Sequence, residues 1–485
     1  MAPLVVGVRR YRCLMSKQRN VMRRIERVRP ARLLPIAGLF VGISISAAAV
    51  VVESVAVAQR SPVVPGAVFE ATHLPPLLVL PGEPVQLTYD VNCLAEGVDD
   101  AEARCEVAGS LFVRIDGSGD FEKLPLRRAD ARGIRQLTAS VPDSFVAAPS
   151  GFEYYAELER VGTGDRLLVP TGGAAAPYRS QVLNNAIDVD LGSADFSAHR
   201  RGARVASARW GDGTASIGLE PGRSFGPVGA SSFDVDEAGT VFLLDQIHRR
   251  VLRWARGAQQ PARVPVLVDG RLADLAVSDD GSLYILESVA GPGRAGPLVR
   301  RFDETGRELD VVEAAERSPS QIRMGPDGPM VLEHPSHQWT SIALDGHPLP
   351  PKEQWRRART GRPLRSGGEA IVLSTGNELR IAVVSDDRIA RSWRLTSATP
   401  LGEVQVVEAI GARLVVVVRT FTESADEFLV VILDRRGVAQ QFAVASADWA
   451  ETAPLSRFRL VGRSLYQLGS NSAGVFIDRY DLEVR

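Results

Sequence analysis

One phrase recurs three times in the middle of this chain and limits what it can fold into. It first runs from Ser232 to Asp245: an apolar stretch, the turn Asp236-Glu237-Ala238-Gly239, then Val241-Phe242-Leu243-Leu244 ending on an acid, Asp245. It returns from Leu275 to Glu287 around Asp279-Asp280-Gly281, and again from Ile322 to Glu333 around Pro326-Asp327-Gly328. The turn glycines Gly239, Gly281 and Gly328 are therefore 42 and then 47 residues apart. A unit this short cannot bury its apolar face alone, so successive copies must stack. The rest of the composition agrees with many short strands: 44 glycines and 30 prolines punctuate frequent valine runs in 485 residues. That length exceeds one compact core.

Strand, acidic-glycine turn and strand at this period match one four-stranded blade of a β-propeller. The first copy also resembles an NHL repeat, through Val241–Trp254 with Asp245 at the strand end and Arg250-Val251 opening the next strand. His248 stands where that family commonly carries asparagine, and the second copy carries an insertion from Val289 to Pro297. Later blades show only as strand groups. These are Ala370–Leu373, Leu379–Val384 and Ile389–Leu395, then Val404–Ile410, Arg413–Arg419 and Glu427–Asp434, then Phe458–Val461, Leu465–Leu468 and Val475–Tyr480. The count is six blades, with seven as the alternative, over residues 205–485. Val205–Gly211 resembles the strand that precedes the first NHL blade and is expected to complete the last one, removing exposed edges.

Residues 69–190 read as a separate β-sandwich, joined to the propeller by a connector at 191–204. Val85–Val91 and Gly151–Glu159 alternate apolar and polar residues, and Leu111–Ile115 runs through Asp116-Gly117-Ser118-Gly119-Asp120 into a hairpin. Phe152–Tyr155, the turn Gly162–Asp165 and the return through Pro170 to Pro177 resemble the last hairpin of bacterial immunoglobulin-like or fibronectin type III-like modules. That resemblance implies a spacer or an adhesion surface. The fold class is thus all-β: signal segment, Ig-like sandwich, NHL-like propeller.

The first 58 residues read as a signal peptide or anchor. Arg23, Arg24, Arg27, Arg29 and Arg32 precede an apolar stretch from Leu33 to Val52, and Ala56-Val57-Ala58 precedes Gln59. A basic n-region, an apolar h-region and a small-x-small site are the parts of a secretory signal. An uncleaved anchor is the alternative, because about 20 apolar residues can span a bilayer. A start at Met22 would give a leader of ordinary length. A Pro-rich linker follows at 59–68. In an oxidising compartment the pair Cys93 and Cys105 is expected to form a disulfide, worth roughly 3 kcal/mol on the chain-entropy model. Cys13 precedes the apolar run and so cannot be a lipoprotein cysteine.

Composition excludes some partners. Lysine plus arginine total 57 against 58 acids, without the basic surplus that nucleic acid requires. No Gly-x-Ser-x-Gly elbow, phosphate cradle or dinucleotide fingerprint is present in the sequence. Asp245, Glu287 and Glu333 end the same strand in three blades. They are either structural acceptors for the following turn, with Arg250 serving Asp245, or a ring of metal ligands. Glu333-His334-Pro335-Ser336-His337 is the densest ligand cluster, so Glu287, Glu333, His334 and His337 are the metal candidates, weighed against simple solvation. Lys352–Arg359 reads as a basic loop or short helix. The expected function is an exported, non-catalytic binding or scaffold protein facing a protein or envelope-glycan partner, with no cofactor. The alternative is a propeller hydrolase or lyase, resembling metal-dependent lactonases or peptide-amide lyases, with a metal in the central channel. Membrane contact is expected only through an uncleaved N-terminal segment.

Overall fold

The computed structural model describes residues 68–483, apart from 95–105, 130–134, 162–163, 222–226, 269–272, 289–295, 316–318, 335, 387 and 451–454. The signal segment and the side chains of both Cys93 and Cys105 lie outside the described residues, as does most of the Val289–Pro297 insertion. Among the described residues nearly all regular structure is β, and the α-helices are the short Asp143–Val146 and Pro351–Arg356, the latter taking in part of the Lys352–Arg359 patch. No described helix is long and apolar enough to cross a membrane.

Residues 68–182 form two sheets around one core. One sheet orders Val68–His73, Gln86–Leu94, Arg135–Ser140 and Arg127–Arg128. The other is built on Phe152–Arg160, which pairs with Val107–Ile115 and Tyr178–Val182. Alternate residues such as Leu87, Tyr89 and Val91 from the first sheet meet Leu111, Phe152 and Tyr154 from the second. This is the consequence of period-two patterning with one buried face per strand. The turn Asp116–Asp120 joins two antiparallel strands, Val107–Ile115 and Glu122–Pro125.

Among the described residues six further sheets, here numbered as blades 1 to 6 of a propeller-like array, follow in chain order, with the two-stranded ribbon Ala343–Leu344 and His347–Pro348 beside blade 3. Blade 1 comprises Ser232–Val235, Val241–Asp245, Arg250–Trp254 and Ala262–Pro265, all antiparallel. Blade 2 begins with Ala273–Val277, blade 3 with Gln321–Gly325, blade 5 with Leu401–Ile410 and blade 6 with Phe458–Val461. Blade 4 contains Glu369–Thr375, Glu378–Ser385 and Arg388–Thr396, with the two-residue strand Arg362–Pro363 on its inner side. The innermost strands adjoin one another in order, and Phe458–Val461 adjoins Ser232–Val235, so the succession returns to its start. Shared apolar clusters fill the seams, for example Phe242, Leu244 and Val251 against Leu275 and Ile285 between blades 1 and 2. Between blades 3 and 4 backbone does the joining: Trp339 N–H donates to the Arg359 carbonyl at 2.7 Å and Arg359 N–H returns at 2.8 Å.

The sequence boundary at residue 190 needs correction. Ile187–Asp190 is not in the sandwich; it lies parallel to Arg388–Thr396 as the outer strand of blade 4. Nor is 191–204 a free tether. Leu191 N–H bonds to the Thr396 carbonyl, Arg200 N–H bonds to Ala443 of blade 5, and His199 contacts Glu427 at 2.9 Å. Ala203–Arg209 then pairs antiparallel with Gly474–Asp481 of blade 6, so the expected completing strand begins two residues earlier than the sequence placed it. The connector is a strap along the outer edges of three blades.

The sandwich also packs directly on blade 4. Leu78 and Leu183 meet Ile371, Ala382 and Val384 in one apolar cluster. Beside it Arg380 binds both carboxylate oxygens of Glu83, at 2.5 and 3.0 Å, and the Leu78 carbonyl.

Candidate functional site

The repeated acids are each engaged within their own surroundings. Asp245 is buried and accepts from His248 Nδ1 at 2.7 Å and Arg250 Nε at 3.0 Å, and its Oδ1 takes the Gly218 and His248 backbone N–H groups. Glu287 accepts from Arg300 Nε at 2.5 Å in blade 2. Glu333, fully buried in blade 3, accepts from the Ala315 N–H and the Thr340 hydroxyl, both at 3.1 Å. Gly239, Gly281 and Gly328 all adopt positive φ, at 83°, 80° and 137°, the region glycine enters at no steric cost. In the first turn Thr240 N–H caps the Asp236 side chain at 2.7 Å.

His334 and His337 do come together, their rings 4.6 Å apart and nearly perpendicular. His334 Nε2 meets the Ser320 hydroxyl at 2.8 Å. Burial pulls His334 below its ordinary range; burial and the neighbouring His334 ring take His337 down to about 4. Glu287, in blade 2, is held by Arg300 instead. Among the described residues no group of three or more His, Cys, Asp or Glu side chains converges as a metal site would require.

Charge concentrates elsewhere, on the array's axis. Four innermost strands carry a charged residue between apolar ones: Phe233-Asp234-Val235, Ala273-Asp274-Leu275, Ile322-Arg323-Met324 and Phe458-Arg459-Leu460. Asp274 is fully buried and accepts from Ser232, Ser456, Arg323 Nη1 at 3.0 Å and the backbone of Ile322. Arg459 lies 3.1 Å from Asp234 and bonds the carbonyls of Phe233 and Leu275. Arg362 reaches the Gln405 carbonyl at 2.9 Å. Burial, then the adjacent Arg459 guanidinium, takes Arg323 down to about 9, which leaves it charged at neutral pH. Burial pushes the Glu408 carboxyl up. Asp234, Arg323, Arg362, Glu408 and Arg459 together line a cavity of about 50 Å³. The repeat phrase hid this cluster because the charges change sign and place, with Asp234 and Arg323 five residues before their turn glycines and Asp274 seven; the signal was an ion inside a largely apolar strand.

A second feature opens at the seam of blades 1 and 6. The turns Asp236–Gly239, Ala255–Gln259 and Gly462–Arg463 surround a groove of about 650 Å³, with Arg204, Arg256, Arg463, Tyr466 and Arg479 in its walls. A neighbouring groove of about 470 Å³ shares Arg204 and Gln259 and adds Arg209 and Asn471. Trp210 donates to the Asn471 carbonyl and stands 6.1 Å from Trp449, whose ring is 45% exposed.

With this geometry in hand, the class is clear at one level: an all-β protein with a propeller-like array. No protein-family model matches the chain, and no curated protein matches it. Among solved structures it is similar to virginiamycin B lyase from Staphylococcus aureus, at 14% identity and a TM-score of 0.30 over 53% of this chain and 85% of that one. It is also similar to a DUF4221 protein from Bacteroides vulgatus, at 10% identity and a TM-score of 0.31 over 57% and 97%. A third is the aldose sugar dehydrogenase of Streptomyces coelicolor, at 12% identity and a TM-score of 0.33 over 59% and 98%. Likeness this distant transfers no residue and no activity.

Proposed function

We propose that this chain is an exported, non-catalytic binding or scaffold protein, in which an immunoglobulin-like sandwich carries a six-bladed, NHL-like propeller that engages an envelope glycan. The groove between blades 1 and 6 carries this reading. Its volume lies within the range of ligand clefts, and its walls and neighbour hold Arg204, Arg209, Arg256, Arg463 and Arg479 against Asp236 and Glu237. The half-exposed Trp449 stands 6.1 Å from Trp210, which bonds Asn471 in the wall of the neighbouring groove. Its flat apolar face suits a sugar ring, while guanidinium groups suit carboxylates or phosphates on a polymer.

The test is retention of the full chain on acidic envelope glycans and on envelope protein fractions, with wild type compared against Arg256→Glu/Arg463→Glu and Trp449→Ala. Loss of glycan retention in the variants supports the reading. Retention on protein alone, or retention untouched by the substitutions, overturns it. Export is tested separately by sequencing the mature N-terminus, expected at Gln59; a mature protein that retains residues 1–58 contradicts cleavage.

The hydrolase or lyase alternative needs a metal held at the axis. The axial donors are chiefly guanidinium groups, which repel cations, and the carboxylates there are already bound by backbone and arginine. Turnover of a lactone or peptide amide by the purified protein would nonetheless displace the binding reading.

A further inference from the structure

The axial cavity shares no lining residue with the seam groove and holds a guanidinium N–H group that has no hydrogen-bond partner. Arg323, Arg362, Arg365 and Arg459 approach it from blades 3, 4 and 6, against the carboxylates of Asp234, Asp274 and Glu408. The oxygens of Asp234 and Asp274, and Glu408 Oε1, already accept hydrogen bonds. Asp274 accepts from two hydroxyls, two backbone N–H groups and Arg323. Asp234 accepts from the N–H groups of Val235 and Val277, and Glu408 from those of Arg365 and Ala409.

The donors are not spent. Arg459 is 5% exposed, and its Nη1 is buried without a hydrogen-bond partner. Arg362 Nη2 has only a 3.5 Å contact to Gln321, and Arg365 stands 3.8 Å from Asp234. A guanidinium carries five N–H donors and no acceptor, and a buried cation lacking partners is strongly unfavourable. Water could satisfy one N–H but would leave the repulsion between Arg362 and Arg459 in place. The volume of about 50 Å³ open to the centres of water-sized groups admits about four of them, at roughly 10–15 Å³ each.

We propose that the axial cavity binds a small tetrahedral oxyanion of the phosphate or sulfate class, held by Arg362 and Arg459 from opposite seams of the array. The oxyanion supplies acceptors in several directions, as donors arriving from different blades require, where a planar carboxylate supplies two. It locks blades 3, 4 and 6 together across the axis.

The experiment is isothermal titration of the full chain with inorganic phosphate at constant ionic strength, paired with thermal unfolding in the same buffers. Phosphate is expected to bind one-to-one and to raise the Tm as its concentration rises, with chloride at matched ionic strength inert. Sulfate is expected to compete, and acetate to compete at least tenfold less well. Arg362→Gln is expected to weaken phosphate tenfold or more, while Arg435→Gln, on an exposed outer turn of blade 5, leaves it unchanged. Arg459→Gln is expected to match Arg362→Gln; should it fail to fold, wild type and Arg362→Gln decide. No binding by wild type, or equal binding by Arg362→Gln, overturns the site. Acetate binding as tightly as phosphate overturns the tetrahedral assignment.

Discussion

Acidifying this protein should destabilise it through one histidine in the sandwich. His73 is 1% exposed. Its Nδ1–H donates to the Thr88 carbonyl at 2.7 Å, which makes Nε2 the acceptor for the Tyr154 hydroxyl at 2.9 Å. Tyr89 stacks on the ring at 4.4 Å and Tyr178 lies 5.4 Å away. A proton on Nε2 therefore enters a box of phenol groups with no carboxylate, and His337 adds repulsion. Burial first, and that repulsion, bring His73 from 6.5 to about 4. Between those values the unfolded chain holds more protons than the folded one. The contribution is thus complete above about pH 6.5 and is lost as pH falls towards 4. Linkage gives a loss of about 2 kcal/mol by about pH 5 and about 3 kcal/mol by about pH 4.

Urea unfolding of wild type and His73→Gln, followed by circular dichroism across this range, checks the number. Glutamine can donate to Thr88 and accept from Tyr154 but does not titrate. Other acid-sensitive groups cancel in the difference, so wild type should lose about 2 kcal/mol relative to the variant between about pH 7.5 and about pH 5. Parallel stability curves for the two proteins would refute the reasoning.

Other outcomes follow from packing. Trp393, fully buried in blade 4 with its indole N–H on the Asp434 carbonyl, should cost about 4 kcal/mol as Trp393→Ala, read by denaturant unfolding. Arg380→Ala removes the arginine partner of the half-exposed Glu83 and of the Leu78 carbonyl at the junction, while Arg394 keeps Glu378; a loss of about 1 kcal/mol is expected, with faster proteolysis between sandwich and array. Gly306→Ala would place a methyl 2.0 Å from the Pro265 carbonyl at a φ of 90°, costing about 2 kcal/mol or more in the same assay. Removing residues 474–485 should leave the edge strand of blade 6 unpaired, visible as association on size-exclusion chromatography.

Sequence pattern exposed the sheets better than their chemistry. Val241–Asp245 and Leu283–Glu287 announced themselves because strand, glycine turn and strand are local, and local geometry is written in adjacent residues. Ile187–Asp190 was assigned to the sandwich because its partner, Arg388–Thr396, is some 200 residues away and no local signal joins them. The axial charges escaped for a related reason. Asp274 alone looks like a surface acid, and only the ring of innermost strands brings it to Arg323, Ser456 and Arg459. The histidines stood out by proximity in sequence, yet His337 interacts electrostatically with His73 of the sandwich, a relation that spacing could not foretell.

The strap has a consequence in time. Arg204 and its partner Asp478 are separated by 274 residues. At synthesis rates of 5–20 residues per second, the strand Ala203–Arg209 waits roughly 15 to 55 s for the strand that completes it. The sandwich needs nothing beyond residue 182 for its own strands, so it can fold early on the ribosome. The array cannot: the edge of Ala203–Arg209 stays open until Gly474–Asp481 has arrived. The interval between the two events is when the chain most needs a chaperone, and shortening blades 4 and 5 would shorten that wait without touching a single residue of the seam.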